Sequence, residues 1–331
     1  MGSSTESPRA PASPEFLAVF RAHAEADGGM SFARFMELAL YDPQVGYYRR
    51  KRTRIGYAAG TDFFTASTSG PVFGELVSAA TAKLLRDAGR DPRTHVFIEL
   101  GAEPDSRGIL AGISHPFASA CAVGVGGELP LRGDCVVFSN ELFDAQPFVR
   151  TVFRGGDWRE IRVRIDGDQL HELEVPFAAG VEPAPTEGYH FDRPIAAARL
   201  AAAIAKQPWR GLFVGFDYGK TLLELTRHCP AGTARAYFQH TQSNDLLARP
   251  GEQDLTCHVC WDWIAAALRE HGFAEPTLAF QEAFFIRHAE EFIAAASAAD
   301  AAGFSRRKLS LLQLLHPAHL GQKFQVLQAL R

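Results

Sequence analysis

Thr94-His95-Val96-Phe97-Ile98-Glu99-Leu100-Gly101 is a short apolar run that closes on an acid and a glycine. A run of that length, apolar on both alternating faces and ended by Gly, predicts a strand buried on both sides, as in a parallel sheet. Three more runs share its character: Ala120-Cys121-Ala122-Val123-Gly124-Val125, Asp134-Cys135-Val136-Val137-Phe138-Ser139-Asn140-Glu141 and Gly211-Leu212-Phe213-Val214-Gly215-Phe216-Asp217-Tyr218-Gly219. Buried strands separated by helical stretches predict an open α/β sheet. Such sheets bind ligands in the crevice outside the carboxyl ends of their strands. Three of the runs end in polar clusters, Glu99/Gly101, Asn140-Glu141 and Asp217-Tyr218-Gly219, which places a candidate site there.

Outward from these strands, the flanking segments read as follows. Phe16, Leu17, Val19 and Phe20 mark one face of a helix over residues 16–24. Ser31 can cap a second helix over 32–40, and Pro43 stops it by disfavouring helical geometry at Asp42. Residues 46–60 read as a polar, basic loop, 71–87 as a helix and 193–206 as an Ala-rich helix. Ile161, Val163 and Ile165 alternate within 148–175, which is antiparallel hairpin material. The division expected is a disordered Ser/Pro/Ala tail over 1–14, an N-terminal helical segment over 15–90 that covers the cofactor cleft, and a core over 91–150 and 191–275. A β-hairpin insertion over 151–190 and a C-terminal segment over 276–331, completing the core and the second lobe, account for the rest.

With 331 residues the chain is long enough for one large domain bearing a substantial insertion, or for two lobes. A formal net charge of −4 argues against nucleic acid as a partner. The basic run Arg49-Arg50-Lys51-Arg52-Thr53-Arg54 reads as a solvated loop. No apolar stretch is long enough for a membrane span, and five scattered cysteines without a secretory signal fit a reducing compartment, so the cytoplasm is expected. Cys257-His258-Val259-Cys260 resembles half a zinc site, but a structural zinc needs four ligands and no second such pair exists, so no metal is expected. The Phe-rich segment of Phe284, Phe285 and Phe292 would make a homodimer surface if exposed.

Taken in order, several blocks resemble the MidA family of class I S-adenosylmethionine-dependent methyltransferases. They are Ser31-Phe32-Ala33-Arg34-Phe35-Met36-Glu37-Leu38-Ala39-Leu40-Tyr41-Asp42-Pro43 with Gly46-Tyr47-Tyr48, then Asp62-Phe63-Phe64-Thr65-Ala66 and Pro71-Val72-Phe73-Gly74-Glu75. Glu99-Leu100-Gly101, Ser139-Asn140-Glu141-Leu142-Phe143-Asp144-Ala145-Gln146-Pro147 and Asp217-Tyr218-Gly219 follow. Gly232-Thr233-Ala234-Arg235-Ala236-Tyr237, Pro250-Gly251-Glu252-Gln253-Asp254-Leu255-Thr256 with His258-Val259, and Gly321-Gln322-Lys323-Phe324-Gln325-Val326-Leu327 complete the series. The resemblance implies a Rossmann-like methyltransferase core with a smaller inserted or appended lobe, S-adenosylmethionine as cofactor and a protein substrate. Mitochondrial members of the family are associated with assembly of respiratory complex I through arginine methylation.

Methyl transfer from a sulfonium requires donor and acceptor in line, and removal of the acceptor's proton. An arginine acceptor is strongly basic and needs adjacent carboxylates to orient it. Glu141 and Asp144, after a strand end, are the candidate carboxylates, with Asn140 as an amide that can face cofactor or acceptor. Glu99 and Gly101 are candidate cofactor contacts; the resemblance adds Asp62, Phe63 and Thr65. Asp217 either faces the same cleft or pins the turn at Gly219. His258, in a polar group with Gln253 and Asp254, is a candidate proton carrier.

The chain departs from the family pattern at the turn after its first strand. A Gly-x-Gly-x-Gly turn is expected; here Gly101-Ala102-Glu103-Pro104-Asp105-Ser106-Arg107-Gly108 retains only Gly101 clearly, and its acids would repel the donor's carboxylate. Gly124 replaces the acid expected to hold the ribose, with Glu128 as the possible substitute, and Cys260 stands where the family has Asp. Only 38 residues separate Gly101 from Asn140, so at least one βα unit should be lost or trimmed. Two readings stay open: an active methyltransferase, or a catalytically degenerate relative acting as a binding or assembly factor. An NAD-dependent oxidoreductase lacks its G-x-G-x-x-G.

Overall fold

The computed structural model describes residues 11–50, 70–103, 106–178, 186–299 and 305–331. The chain enters through α1 (Pro14–His23), whose first turn is capped by the Ser13 side chain accepting from the Phe16 amide at 3.2 Å. Pro14 is therefore helical rather than part of a tail, because proline suits the first helical position. Strand β1 (Gly29–Ser31) leads into α2 (Phe32–Tyr41), capped by Ser31 at 3.2 Å to the Arg34 amide. Asp42 is extended, as its position before Pro43 requires. The long α3 (Pro71–Asp87) has the boundaries its sequence pattern predicts.

Next come β2 (Val96–Ala102), β3 (Ser119–Gly124) and β4 (Gly133–Asn140), then β5 (Val149–Arg154), β6 (Asp157–Asp166), β7 (Gln169–Pro176) and β8 (His190–Arg193). Helix α4 (Ile195–Ala205) precedes β9 (Trp209–Asp217), so Arg193 belongs to the preceding strand and not to the helix. The chain continues through β10 (Gly219–Lys220), α5 (Leu222–Arg227), β11 (Arg235–Phe238), β12 (Thr241–Ser243), β13 (Asp254–Thr256), β14 (Val259–Cys260) and α6 (Trp261–Glu270). Strand β15 (Thr277–Phe280), helices α7 (Gln281–His288), α8 (Glu290–Ala299) and α9 (Arg306–Leu315), and β16 (Gln325–Leu330) finish it.

The main sheet has the order β15-β16-β9-β4-β2-β3. Strands β3, β2, β4 and β9 are mutually parallel, and β16 runs antiparallel to both β9 and β15. From β2 the chain steps outward to β3, then crosses back to β4 on the other side of β2, so the order reverses there and a crevice opens at the carboxyl ends. Leu100 pairs with Ser139, and Asn140 with Phe216, so Glu99, Glu141 and Asp217 sit at neighbouring strand ends. The described residues joining β2 to β3 and β3 to β4 carry no helix, which matches the short spacing between Gly101 and Asn140.

Helices cover both faces. On one, α3 and the C-terminal helices pack Phe73, Leu76, Phe284, Phe285 and Leu314 against Phe97, Phe138 and Phe216. Phe284 and Phe285 are buried in that layer and Phe292 is partly buried against it, so the first two rings are not exposed to form a dimer surface; they replace water contact with ring contact, Phe285 lying 5.4 Å from Phe216. On the other face, α4 and α6 bring Ala201, Ile204, Trp261 and Ile264 onto Ile98, Val137 and Phe213.

The second body is a five-stranded antiparallel sheet in which β6 pairs with β5, β7 and β1, and β5 with β8. It is wider than a hairpin over 151–190, because β1 from the N-terminal segment and β8 pair into it. Its apolar face (Met30, Val163, Leu170) meets α1, α2 and the short sheet β12-β11-β13. Among the described residues no helix is long and apolar enough to cross a membrane.

Candidate active site

At the end of β4 the chain turns through Asn140-Glu141-Leu142-Phe143-Asp144-Ala145. Glu141 holds φ at 52°, a left-handed conformation that costs a side-chain-bearing residue roughly 1–2 kcal/mol and persists only where surroundings enforce it. Several bonds do so. The Glu141 amide donates to the Phe216 carbonyl at 3.0 Å. The amides of Phe143 and Asp144 donate to Oδ2 of Asp217 at 2.8 and 3.3 Å, while Oδ1 of Asp217 accepts from the Tyr218 amide at 2.9 Å. The Asp144 carbonyl accepts from the Cys257 amide at 3.0 Å, and the Ala145 carbonyl from the Tyr41 hydroxyl at 2.7 Å. Asp217 thus pins this turn, the one carrying the candidate acids, and not only the turn at Gly219.

These strand ends open into a cavity of about 690 Å³. That is the size of a small-molecule or cofactor site. Among the described residues its walls carry five carboxylates, Glu99, Glu103, Glu141, Asp144 and Asp254, against two cations, Arg235 and Lys323. Asn140 Nδ2 donates to Glu141 Oε1 at 2.9 Å, which turns Asn140 Oδ1 the other way. Among the described residues, Asn140 Oδ1 and Asp144 Oδ1 are buried without a hydrogen-bond partner, and Asp144 is only 3 % exposed. Buried acceptors are rarely left unpaired, so two in one cavity wall mark a place for a donor-rich, cationic group.

Burial pushes the Glu141 carboxyl well above its usual range, and the charges of Asp144 and then Asp254 push further against the Asn140 bond. Burial likewise raises Asp144, with Asp217 and Asp254 adding repulsion. Acids so perturbed are ready to ionise when a cation arrives and to take up a proton during reaction. Tyr41 and Tyr48 stack at 5.5 Å beside them, and the Tyr48 hydroxyl donates to Asp254 Oδ1 at 3.0 Å. Burial, then the Asp254 charge, raises both phenols, which remain neutral donors. Tyr218 and Tyr237 complete an aromatic wall.

His258 lines the same cavity on the segment whose amide bonds Thr233 Oγ1 at 3.2 Å. Burial and the neighbouring cations Lys220 and Arg235 push its pKa down to about 4. The imidazole is therefore neutral at neutral pH and poorly suited to carrying a proton there. Asp192 fixes this wall by accepting from the Thr233 and Ala234 amides at 2.7 and 2.8 Å.

The other half of the cavity lies at the ends of β2 and β3. Glu99 is 9 % exposed; its Oε2 accepts from the Ile109 amide at 2.6 Å, and burial raises its pKa to about 7. Gly101 has φ of 79° and Gly108 of 89°, and a Cβ at Gly108 would stand 2.7 Å from Glu99 Oε2. The chain after β2 thus folds back over Glu99 through a glycine, replacing the glycine-rich turn by a different close approach. The Arg49 guanidinium donates to the Val125 carbonyl at 3.4 Å, and Arg50 pairs with Glu252 at 3.5 Å, so the start of the basic run packs onto the fold instead of extending into solvent. Glu128 is exposed and absent from the cavity wall, because the turn after β3 carries it outward. Asp62, Phe63 and Thr65 lie outside the described residues.

This wall fits S-adenosylmethionine in charge and in access. An excess of carboxylates suits a sulfonium and an ammonium, and Gly101 leaves the backbone at the end of β2 open to close approach. Among the described residues no group of three or more His, Cys, Asp or Glu could hold a metal ion, and all five cysteines are free. Tyr41, Tyr48, Tyr237 and Arg235 join the site without any signature of their own in the sequence. They lie in motif blocks, yet nothing local distinguishes a wall tyrosine from a core one.

Comparisons with known proteins agree with this geometry. The profile of a family described as "Putative S-adenosyl-L-methionine-dependent methyltransferase" matches residues 127–277. The chain is 24% identical to "Protein arginine methyltransferase NDUFAF7, mitochondrial" from Danio rerio, covering 72% of this chain and 68% of that one. It is also 24% identical to the mitochondrial homologue of that protein from Drosophila melanogaster, covering 72% and 66%. The chain therefore spans about two thirds of the length of these relatives. A crystal structure of a "likely methyl transferase" from Burkholderia thailandensis, bound to S-adenosyl-homocysteine, matches with TM-score 0.83 and 26% identity over 99% of this chain and 95% of that one. A second structure from the same organism, described as uncharacterized, shares the fold at TM-score 0.78 and 24% identity, again covering 99% and 95%.

Proposed function

The chain belongs to the MidA-type family of S-adenosylmethionine-dependent methyltransferases, and from that premise we propose that its acceptor is a guanidinium nitrogen of an arginine side chain in a protein. The observation that carries this reading is the pair of unpaired, buried acceptors, Asn140 Oδ1 and Asp144 Oδ1, beside the raised carboxyl of Glu141. A planar cation with several N–H donors satisfies such a set better than a single ammonium. The arginine-methylating relatives support the same choice.

S-adenosylmethionine, when bound, supplies an electrophilic methyl group on sulfur. Glu99 and the open backbone at Gly101 would hold it at the ends of β2 and β3. Glu141 and Asp144, one turn beyond β4, orient the guanidinium so that one nitrogen faces the donor half. An acceptor nitrogen that takes up this methyl group must shed a proton, and the adjacent carboxylate of Glu141 or Asp144, with its raised affinity for protons, would receive it. The tyrosine wall excludes water from these charges and strengthens them.

The test is transfer of labelled methyl from S-adenosylmethionine to an arginine-containing peptide, with a lysine peptide as control. The arginine peptide should be labelled, and Asp144→Asn should suppress labelling while leaving S-adenosylhomocysteine binding in place. Label on the lysine peptide alone would overturn the choice of acceptor. The second reading, a binding or assembly factor, draws on Glu103, which faces the cavity where a glycine was expected. It requires that calorimetry detect no binding of S-adenosylmethionine or its product.

A further inference from the structure

We propose that Asp217 is a positioning residue for methyl transfer: its carboxylate clips the turn at 141–144 to the end of β9, and so sets where Glu141 and Asp144 present their acids. This rests on the reading of those two acids as the acceptor site. Asp217 is fully buried and absent from the cavity wall, so it touches neither donor nor acceptor. Both of its oxygens are spent on main-chain amides: Oδ2 on Phe143 and Asp144, Oδ1 on Tyr218.

The placement matters because three cavity-wall residues depend on it. Asp144 is held through its own amide, Tyr218 through its own, and Glu141 through the segment that Phe143 anchors. Glu141 is in a left-handed conformation that a glutamate adopts only under constraint. Among the described residues its backbone is otherwise anchored at the Phe216 carbonyl, on the same strand end as Asp217. With the clip gone, the turn can relax toward an ordinary conformation, which swings the Glu141 carboxyl away from Asn140 Nδ2 and the acceptor. A displacement of about 1 Å at a reacting group is enough for a loss of the order of 100-fold.

Three variants of the full chain separate this role from bulk stability and from charge. Asp217→Ala removes the clip. Asp217→Asn keeps one oxygen able to accept from both Phe143 and Asp144. Asp217→Glu keeps a carboxyl group but pushes it one methylene further along. We expect kcat for the arginine peptide to fall about 100-fold in Asp217→Ala and Asp217→Glu. Asp217→Asn should stay within about tenfold of the parent, and S-adenosylhomocysteine affinity should be little changed in all three. Unchanged kcat in a folded Asp217→Ala, or a weak Asp217→Asn beside an active Asp217→Glu, would overturn the proposal. If Asp217→Ala does not fold, the Asn and Glu variants decide by the same criterion. Should the parent protein methylate no arginine peptide, the acceptor assignment fails separately. The clip is then judged by amide exchange at Phe143 and Asp144: faster in Asp217→Glu than in Asp217→Asn supports it, and equal rates overturn it.

Discussion

Replacing Glu141 by glycine should leave the protein at least as stable while removing methyl transfer. Three effects decide the sign. Glycine adopts the observed φ of 52° freely, which recovers roughly 1–2 kcal/mol of left-handed strain. Loss of the 2.9 Å bond from Asn140 Nδ2 costs about 1 kcal/mol. The third effect depends on pH. The folded-state pKa of Glu141 is raised by burial and by Asp144, so below the ordinary glutamate range both folded and unfolded forms are protonated and nothing is lost. As pH rises above that range the unfolded chain ionises first, and stability drains away until the folded carboxyl ionises too. The glycine variant lacks this drain. Its advantage over the parent should therefore be small near pH 5 and larger near pH 8. Glu141→Ala shares the loss of the carboxylate but keeps the strain, and should be about 1–2 kcal/mol less stable than Glu141→Gly. Thermal or urea unfolding of the three proteins at both pH values, alongside the labelled-methyl assay, measures this. A glycine variant less stable than the alanine variant, or one that still methylates the arginine peptide, would refute the reasoning.

Three further outcomes are expected. Because Glu141 and Asp144 both stand well above the normal carboxylate range, kcat/KM for the arginine peptide should still be climbing with pH above that range as they ionise, and Glu141→Gln should lose part of that rise in a pH–rate profile. Glu99, raised to about 7 by burial, holds stability that is present below the ordinary glutamate pKa and lost as pH rises through about 7; Glu99→Gln, whose amide oxygen can still accept from Ile109, should unfold with a flatter pH dependence than the parent between those limits. A methyl group at Gly219 would fall within the Trp261 indole, whose Nε1 donates to Gln325 Oε1 at 2.8 Å, so Gly219→Ala should destabilise by about 1–3 kcal/mol or more in denaturant unfolding.

Much of the framework was legible along the chain because strands and helices announce themselves locally. The apolar runs ending at Gly101, Glu141 and Gly219 became β2, β4 and β9 with its following bridge strand, and Ser31 and Pro43 bracket α2 as their chemistry requires. The short span from Gly101 to Asn140 also foretold the missing helices around β3. Convergence of the three strand ends follows from such runs joining one parallel layer.

What only the tertiary structure decided were relations between residues far apart. The bond from the Phe143 amide to Asp217 joins positions 74 apart, and that from Tyr48 to Asp254 joins positions 206 apart; no periodicity encodes either. The same holds for burial. Phe284 and Phe285 read equally well as a surface or a core until α3 is laid against them, and His258 reads as a proton carrier until loss of water, and then the neighbouring cations, keep it neutral. Pattern in the chain specifies which face an element buries, whereas side-chain charge state and reach depend on what the rest of the fold brings within a few ångströms.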